Sequence, residues 1–170
     1  MLDVDALKQE LLDATYQAES PAVAIKKLDA ALKGYFEANT VVNFIWTAVD
    51  PQSKPDPMTA PKGKITGLSF NIGLSQSTSK AQSDAWISLK VQAGFLTGLY
   101  NITDSGFSTS TGSMATFPPM SLKFEGDSRD AVFRLLAEGI IDAVKAYKPA
   151  IPCSGIHGAF VGSGIVESFT

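Results

Sequence analysis

Four prolines stand in one short stretch of the chain: Pro51, Pro55, Pro57 and Pro61. Each fixes its own φ and lacks an amide donor, so this many together exclude both a helix and a central strand. The chain must cross 50–63 as an extended loop, stiffened by restricted φ. Hydrophobic periodicity reads the two sides of that loop differently. Before it, Asp3 caps a first helix in which Leu7, Leu11, Leu12 and Tyr16 fall near helical spacing. Ser20-Pro21 is a restart signal, a capping side chain followed by proline at the first helical position. A second helix then runs over 21–38, with Ala22, Ile25, Leu28, Leu32, Tyr35 and Phe36 as its apolar stripe. Residues 40–49 are rich in β-branched and aromatic types and read as a strand. Nearly both of its faces are apolar, which predicts a central position or one sandwiched between layers.

After the prolines, 64–75 predicts a strand with Thr66, Leu68, Phe70, Ile72 and Leu74 on its core face. A Ser/Gln/Lys run occupies 75–83. Residues 84–101 fit two patterns: helical spacing through Trp86, Leu89, Ala93, Leu96 and Tyr100 after a Ser83 cap, or strand alternation through Ile87, Leu89 and Val91. The helix is favoured, although Gly94 and Gly98 each weaken it by about 1 kcal/mol relative to alanine. The Ser/Thr/Gly-rich 103–116 reads as a long loop or a polar hairpin, and 121–125 as a short strand after Pro118-Pro119. A strong helical stripe follows over about 127–148, started by Gly126-Asp127 and stopped by Pro149. The tail alternates glycine with apolar residues and predicts a terminal strand or hairpin, with glycines where backbones approach closely. The expected fold is α+β: an N-terminal helical pair, a small mostly antiparallel sheet, the helix near 127–148 and an extended C-terminal segment. The 170 residues are expected to form a single domain over 1–170, with long loops at 50–63, 75–83 and 103–119.

Composition narrows the function classes. At 45% hydrophobic and 18% charged residues the chain is a packed globule, not a disordered one. A formal charge of −3 provides no electrostatic reason to seek nucleic acid or an anionic membrane. One Cys and one His cannot build a Cys/His zinc site or an internal disulfide. The first segment lacks the basic start and unbroken apolar run of a secretory signal. No stretch approaches the roughly 18–20 apolar residues of a membrane span. The expectation is a protein made in a cytoplasm, without a membrane partner.

The residues that could carry chemistry are sparse. His157 is a base or ligand only if something orients it, and the sequence nominates neither an orienting partner nor a nucleophile, so a polar residue on a Gly-rich strand is the simpler reading. Cys153 reads as a small semi-buried residue. Gly162-Ser163-Gly164 lacks the Lys-Ser/Thr ending of a phosphate loop, and no helix follows it. Asp104, Asp127 and Asp130 lack calcium-loop spacing, and Glu10 and Asp13 lie on the solvated face of a helix. Trp46, Trp86 and Phe95 have apolar neighbours and are expected in the core rather than stacked on bases or sugars. No catalytic, cofactor-binding or metal-ligating residue is therefore expected, and no cofactor.

Two positive features point to an assembly part. The loops are long, polar and sparsely charged, and such loops are usually functional or partner-bound. The tail is too hydrophobic to float free, and would gain most by joining a sheet edge, its own or a neighbour's. The pattern resembles small virion structural proteins of tailed bacteriophages. The resemblance rests on residues 30–36, on Val41-Val42-Asn43-Phe44, on 130–132 through 143–147, and on the ending 158–166 with Gly162-Ser163-Gly164-Ile165-Val166. It implies a non-enzymatic neck, tail or baseplate component, a homo-oligomer that also meets other virion proteins and resides in the virion. The alternative is a cytosolic α+β binding or accessory domain that holds a small apolar ligand or a protein partner.

Overall fold

The structure, a computed structural model, describes residues 1–75, 79–113 and 116–170. Residues 76–78 of the polar run and 114–115 of the Ser/Thr-rich loop lie outside the described residues. Among the described residues the chain forms four helices and six strands, the α+β class expected.

Each helix begins on an oxygen-bearing cap. Asp3 starts α1 (Val4–Thr15) by accepting the Ala6 amide, and Ser20 starts α2 (Pro21–Asn39) by accepting that of Val23. Ser79 caps α3 (Lys80–Phe95) and Ser128 caps α4 (Arg129–Ala146). These caps satisfy amides that have no partner inside the helix. Of 84–101, residues 84–95 are helical as favoured, but the helix ends at Phe95 and Tyr100 belongs to a strand, Leu99–Ile102; α3 also starts earlier than Ser83, because Ser79 reaches the amide of Gln82. The last helix likewise starts on Ser128, not on Gly126-Asp127. The N-terminal pair is part of a trio: α1 packs on both α2 and α4. Lys8 of α1 meets Asp130 of α4 at 2.9 Å, and Asp5 meets Arg134.

The strands are β1 (Val41–Val49), β2 (Lys62–Thr66), β3 (Leu99–Ile102), β4 (Phe107–Ser113), β5 (Pro152–His157) and β6 (Phe160–Phe169). Every neighbouring pair is antiparallel, and β6 pairs with β1 to close a barrel in the order β1-β2-β3-β4-β5-β6. The terminal hairpin expected of the tail is β5–β6, and the polar-hairpin reading of 103–116 is realised in part by β4. Closure removes the free sheet edges on which strands aggregate. The period-2 pattern of β1 puts Val42, Phe44, Trp46 and Ala48 inside the barrel. Its other face is not sandwiched as expected: Ile45 is 50% and Val49 47% exposed.

Two further strand expectations are corrected. Of 64–75 only the start is strand, because Gly67 takes φ +73 and turns the chain off the barrel. Beyond it Leu68, Phe70 and Ile72 stay buried, so the alternation was real, but helix side chains replace a neighbouring strand. Glu37 accepts the Leu68 amide, Asp29 accepts that of Ile72, and Lys33 donates to the Leu68 carbonyl. Residues 121–125 are extended without being a strand, for the same reason. Asp84 accepts the Phe124 amide, Ser88 accepts that of Leu122, and Gln92 donates to the Phe117 carbonyl. In both cases three polar residues at i, i+4 and i+8 line one helix face and take the role of a ladder.

The helices lead into β1, β3 and β5, so they lie at the end of the barrel where those strands begin. That end is sealed by an aromatic chain. Inside the barrel Tyr100 packs against Phe169, Phe169 contacts Tyr147, Tyr147 contacts Phe117, and Phe117 stacks on Phe95 at 4.9 Å. Phe95 in turn packs edge-on against Phe36 and Phe70. One buried cluster therefore runs through both helices and barrel.

Candidate functional site

The opposite end of the barrel, where β1, β3 and β5 finish, holds the chain's only histidine. It is closed by the Pro-rich segment. Prolines lack donors but keep carbonyls, and β1 uses the carbonyls of this segment: Phe44 donates to that of Pro61 and Trp46 to that of Thr59. The Asp56 amide donates to Ala48, and Val49 and Pro55 form a bridge. The loop thereby carries the Asp56 carboxyl under the barrel rim.

Asp56 is buried and accepts three hydrogen bonds: from Trp46 Nε1 at 2.9 Å, His157 Nδ1 at 2.7 Å and the Met58 amide at 2.9 Å. Because an ionised carboxylate only accepts, His157 holds a proton on Nδ1. Burial by itself would push the Asp56 carboxyl up. The Met58, His157 and Trp46 donors outweigh it and hold the carboxyl below the ordinary carboxylate range. The imidazole stacks on Phe107 at 4.5 Å, and Phe107 meets Trp46 edge-on at 5.0 Å. Gly106 lies beneath the ring: a Cβ there would come within 2.9 Å of His157 Cδ2.

An oriented Asp–His pair is the supporting half of an acid–base relay, and it needs a substrate or nucleophile at Nε2. Cys153 does not provide one. It lies on the same inner face of β5 but four residues back, about 13 Å along the strand. It is 4% exposed, and burial pushes its thiol up. The two residues singled out together in the sequence are thus not brought together. The arrangement instead clasps the loop (Asp56), the first strand (Trp46) and the terminal hairpin (His157). His157 is a half-buried partner in that clasp rather than a polar residue on a strand surface, and Asp56 is the orienting neighbour that sequence reasoning missed.

Trp46 and Phe95 are in the core as expected. Trp86 is half-buried, donating to the Ile72 carbonyl, with Lys90 4.6 Å from its ring centre. Asp104 accepts the Lys62 amide, and Asp130 pairs with Lys8. Gly162-Ser163-Gly164 lies mid-strand in β6, where a Cβ on Gly162 would come within 2.2 Å of the Thr47 carbonyl oxygen. Among the described residues no group of three or more His, Cys, Asp or Glu side chains is placed to hold a metal ion. Among the described residues no helix is long and apolar enough to cross a membrane.

The outer wall of β1, β6 and β5 is the second feature. Cross-strand register sets Ile45 beside Ile165 and Pro152, Thr47 beside Ser163 and Ser154, and Val49 beside Val161 and Ile156. Ile45, Val49, Ile156, Val161 and Ile165 are 41–62% exposed, and none of the nine positions is charged. The apolar side chains form two rows separated by Thr47, Ser163 and Ser154, and exposed apolar surface of this kind is often an interaction site. A more enclosed apolar cleft of about 210 Å³ lies between α2 and α3, lined by Ile25, Leu28, Ile72, Trp86, Ile87 and Phe124.

An α+β protein built on a closed six-stranded antiparallel barrel, with a clasped end and an uncharged outer wall, is what the fold and these sites define. Compared with known protein families, curated proteins and solved structures, the chain matches none.

Proposed function

We propose that this protein is a non-enzymatic structural component of a tailed-phage particle, of neck, tail or baseplate type. It acts by associating with copies of itself and with other particle proteins, and is assembled in the host cytoplasm. The observation that supports the reading is the exposed, uncharged wall of β1, β5 and β6. Such a surface is stabilised by being covered, whereas a catalytic or charged-ligand site concentrates polar groups in a cleft. The alternative, a domain that holds a small apolar ligand, has less support. The most apolar cleft is about 210 Å³, below the roughly 300–1,000 Å³ of small-molecule sites, and the larger clefts of about 440 and 400 Å³ are lined in part by charged side chains, Asp84 and Lys123 in one and Asp127 and Arg129 in the other. It is lined by α2, α3 and the extended segments at Ile72–Ser75 and Phe124, with no barrel strand among its walls.

Light scattering on the purified chain, from low micromolar to several hundred micromolar, tests the association. Oligomers that grow with concentration are expected, and a monomer throughout overturns the reading. The particle itself is tested by mass spectrometry of density-purified virions whose genome encodes the chain. Its peptides are expected among the structural proteins, and their absence rejects the virion assignment.

A further inference from the structure

Three gaps separate the helices that lead into the barrel, and they are filled in two ways. Residues 68–72 lie between α2 and α3, and 117–124 between α3 and α4. Both are extended, so their amides need outside acceptors and find them on helix side chains. The third gap, between α4 and α2, holds α1. A helix satisfies its own backbone except at its ends. Side chains therefore fix α1 in place: the buried Leu7 and Leu11, the Tyr35 hydroxyl at its Asp3 cap, and the ion pairs of Lys8 with Asp130 and Asp5 with Arg134. Both pairs are partly exposed, and such pairs hold weakly. α1 can leave its gap as an intact unit, whereas the extended segments cannot leave theirs without stranding amides.

The join between α1 and α2 is short, residues 16–20, and strained. Tyr16 takes φ −64 and ψ 130, and Gln17 follows at φ +49. These angles match a type II turn, whose third residue is ordinarily glycine or asparagine. A glutamine there sets its Cβ against the backbone, which weights the bent join against a straightened one by roughly five- to thirtyfold. Short joins under strain favour exchange of the element they tether.

A straightened join bares Leu7 and Leu11, and the gap between α4 and α2 of another copy covers them again with the same charge pattern. Asp5 and Lys8 need a cation and an anion spaced as Arg134 and Asp130 are, one helical turn apart, which sets direction as well as place. The gap that each copy empties receives the α1 of the other, so the exchange is reciprocal and closes on a pair. Five extended residues reach about 16 Å, so the copies meet near the join, where Thr15 lies beside Arg129 at the start of α4. A tethered α1 has an effective concentration on the order of millimolar for its own gap. Strain released in both copies offsets much of that advantage. The pair is expected to form at concentrations on the order of 100 µM in the free chain, and more readily where an assembly concentrates its copies.

Resting on the assembly reading above, we infer that α1 is exchanged between two copies of this chain, each α1 docking between α4 and α2 of the other.

The test uses the full chain. Gln17→Gly accepts the left-handed angle and is expected to raise the dissociation constant at least tenfold. Gln17→Pro cannot accept it, because the ring holds φ at about −65, and is expected to be dimeric at low micromolar concentration with an unchanged circular dichroism spectrum. Placement is read by mixing Lys8→Cys chains with Asp130→Cys chains at several hundred micromolar and adding a short bismaleimide, with native Cys153 buried and out of reach. The mixture is expected to give a covalent dimer on a denaturing gel, and each variant alone far less. The exchange is overturned, while the assembly reading stands, if the natural chain oligomerises but neither Gln17 variant shifts its dissociation constant and the mixture cross-links no better than the separate variants. A natural chain that remains monomeric overturns both.

Discussion

Asp56 illustrates how much one side chain can join. Its carboxylate accepts from an indole, an imidazole and an amide, and the imidazole comes from 101 residues further along the chain. Removing it would leave buried donors without an acceptor, which costs more than the net worth of the bonds. Asp56→Ala is therefore expected to destabilise the fold by about 3 kcal/mol in urea unfolding. A loss below about 1 kcal/mol would show that the clasp is incidental. The carboxyl also predicts a pH dependence. Its folded-state value is depressed, so its contribution is fully present above the unfolded value of about 3.9 and is lost as pH falls through the folded value. The urea midpoint should drop with acidification in that range, and Asp56→Asn should flatten the drop. Equal slopes for the two proteins would reject the assignment. Nothing local marks Asp56, which is one aspartate between two prolines. His157 was visible as the only imidazole, but its orienting partner was not, because a contact over 101 residues leaves no spacing signal.

At the scale of elements, periodicity and caps carried most of what could be read. The stripes of α1, α2 and α4 and the β1 alternation follow from side-chain directions that are fixed within a helix or strand. Where reading failed, a tertiary partner had changed the meaning of a correct pattern. Leu68, Phe70 and Ile72 alternate as a strand would, yet the backbone of Leu68 and Ile72 bonds to Asp29, Lys33 and Glu37 on a helix. Gly94 shows the same conflict with opposite signs. Propensity says that alanine gains up to about 1 kcal/mol over glycine within a helix, less in the last turn where Gly94 stands. In α3, however, a Cβ at Gly94 would lie 2.1 Å from the Phe70 ring, itself wedged edge-on against Phe95. Overpacking of a core costs about 1–3 kcal/mol. Gly94→Ala is thus expected to lower the thermal midpoint despite its better propensity. A raised midpoint would mean that Phe70 moves freely and the helix does not depend on that close approach.

For the molecule as a whole, β6 is the closing piece. It pairs with β5 across a tight hairpin and with β1 from the far side of the chain. Ending the chain after His157 would strip a partner from both strands and open the barrel on the side of the outer wall. Such a chain is expected to lose its cooperative unfolding transition, read by circular dichroism against urea. A sharp transition in the shortened chain would show that closure is dispensable. The helices α1, α2 and α4, the caps Asp3 and Ser20, the stiff proline crossing and the terminal hairpin were determined by the sequence itself, because each depends on forces acting within a few residues. Barrel closure, the Asp56 clasp, the helix side chains that serve as ladders, and the bare wall around Ser163 were decided only by tertiary structure. Each joins segments far apart in the chain, and whether an apolar face is inside or outside depends on which surface happens to cover it.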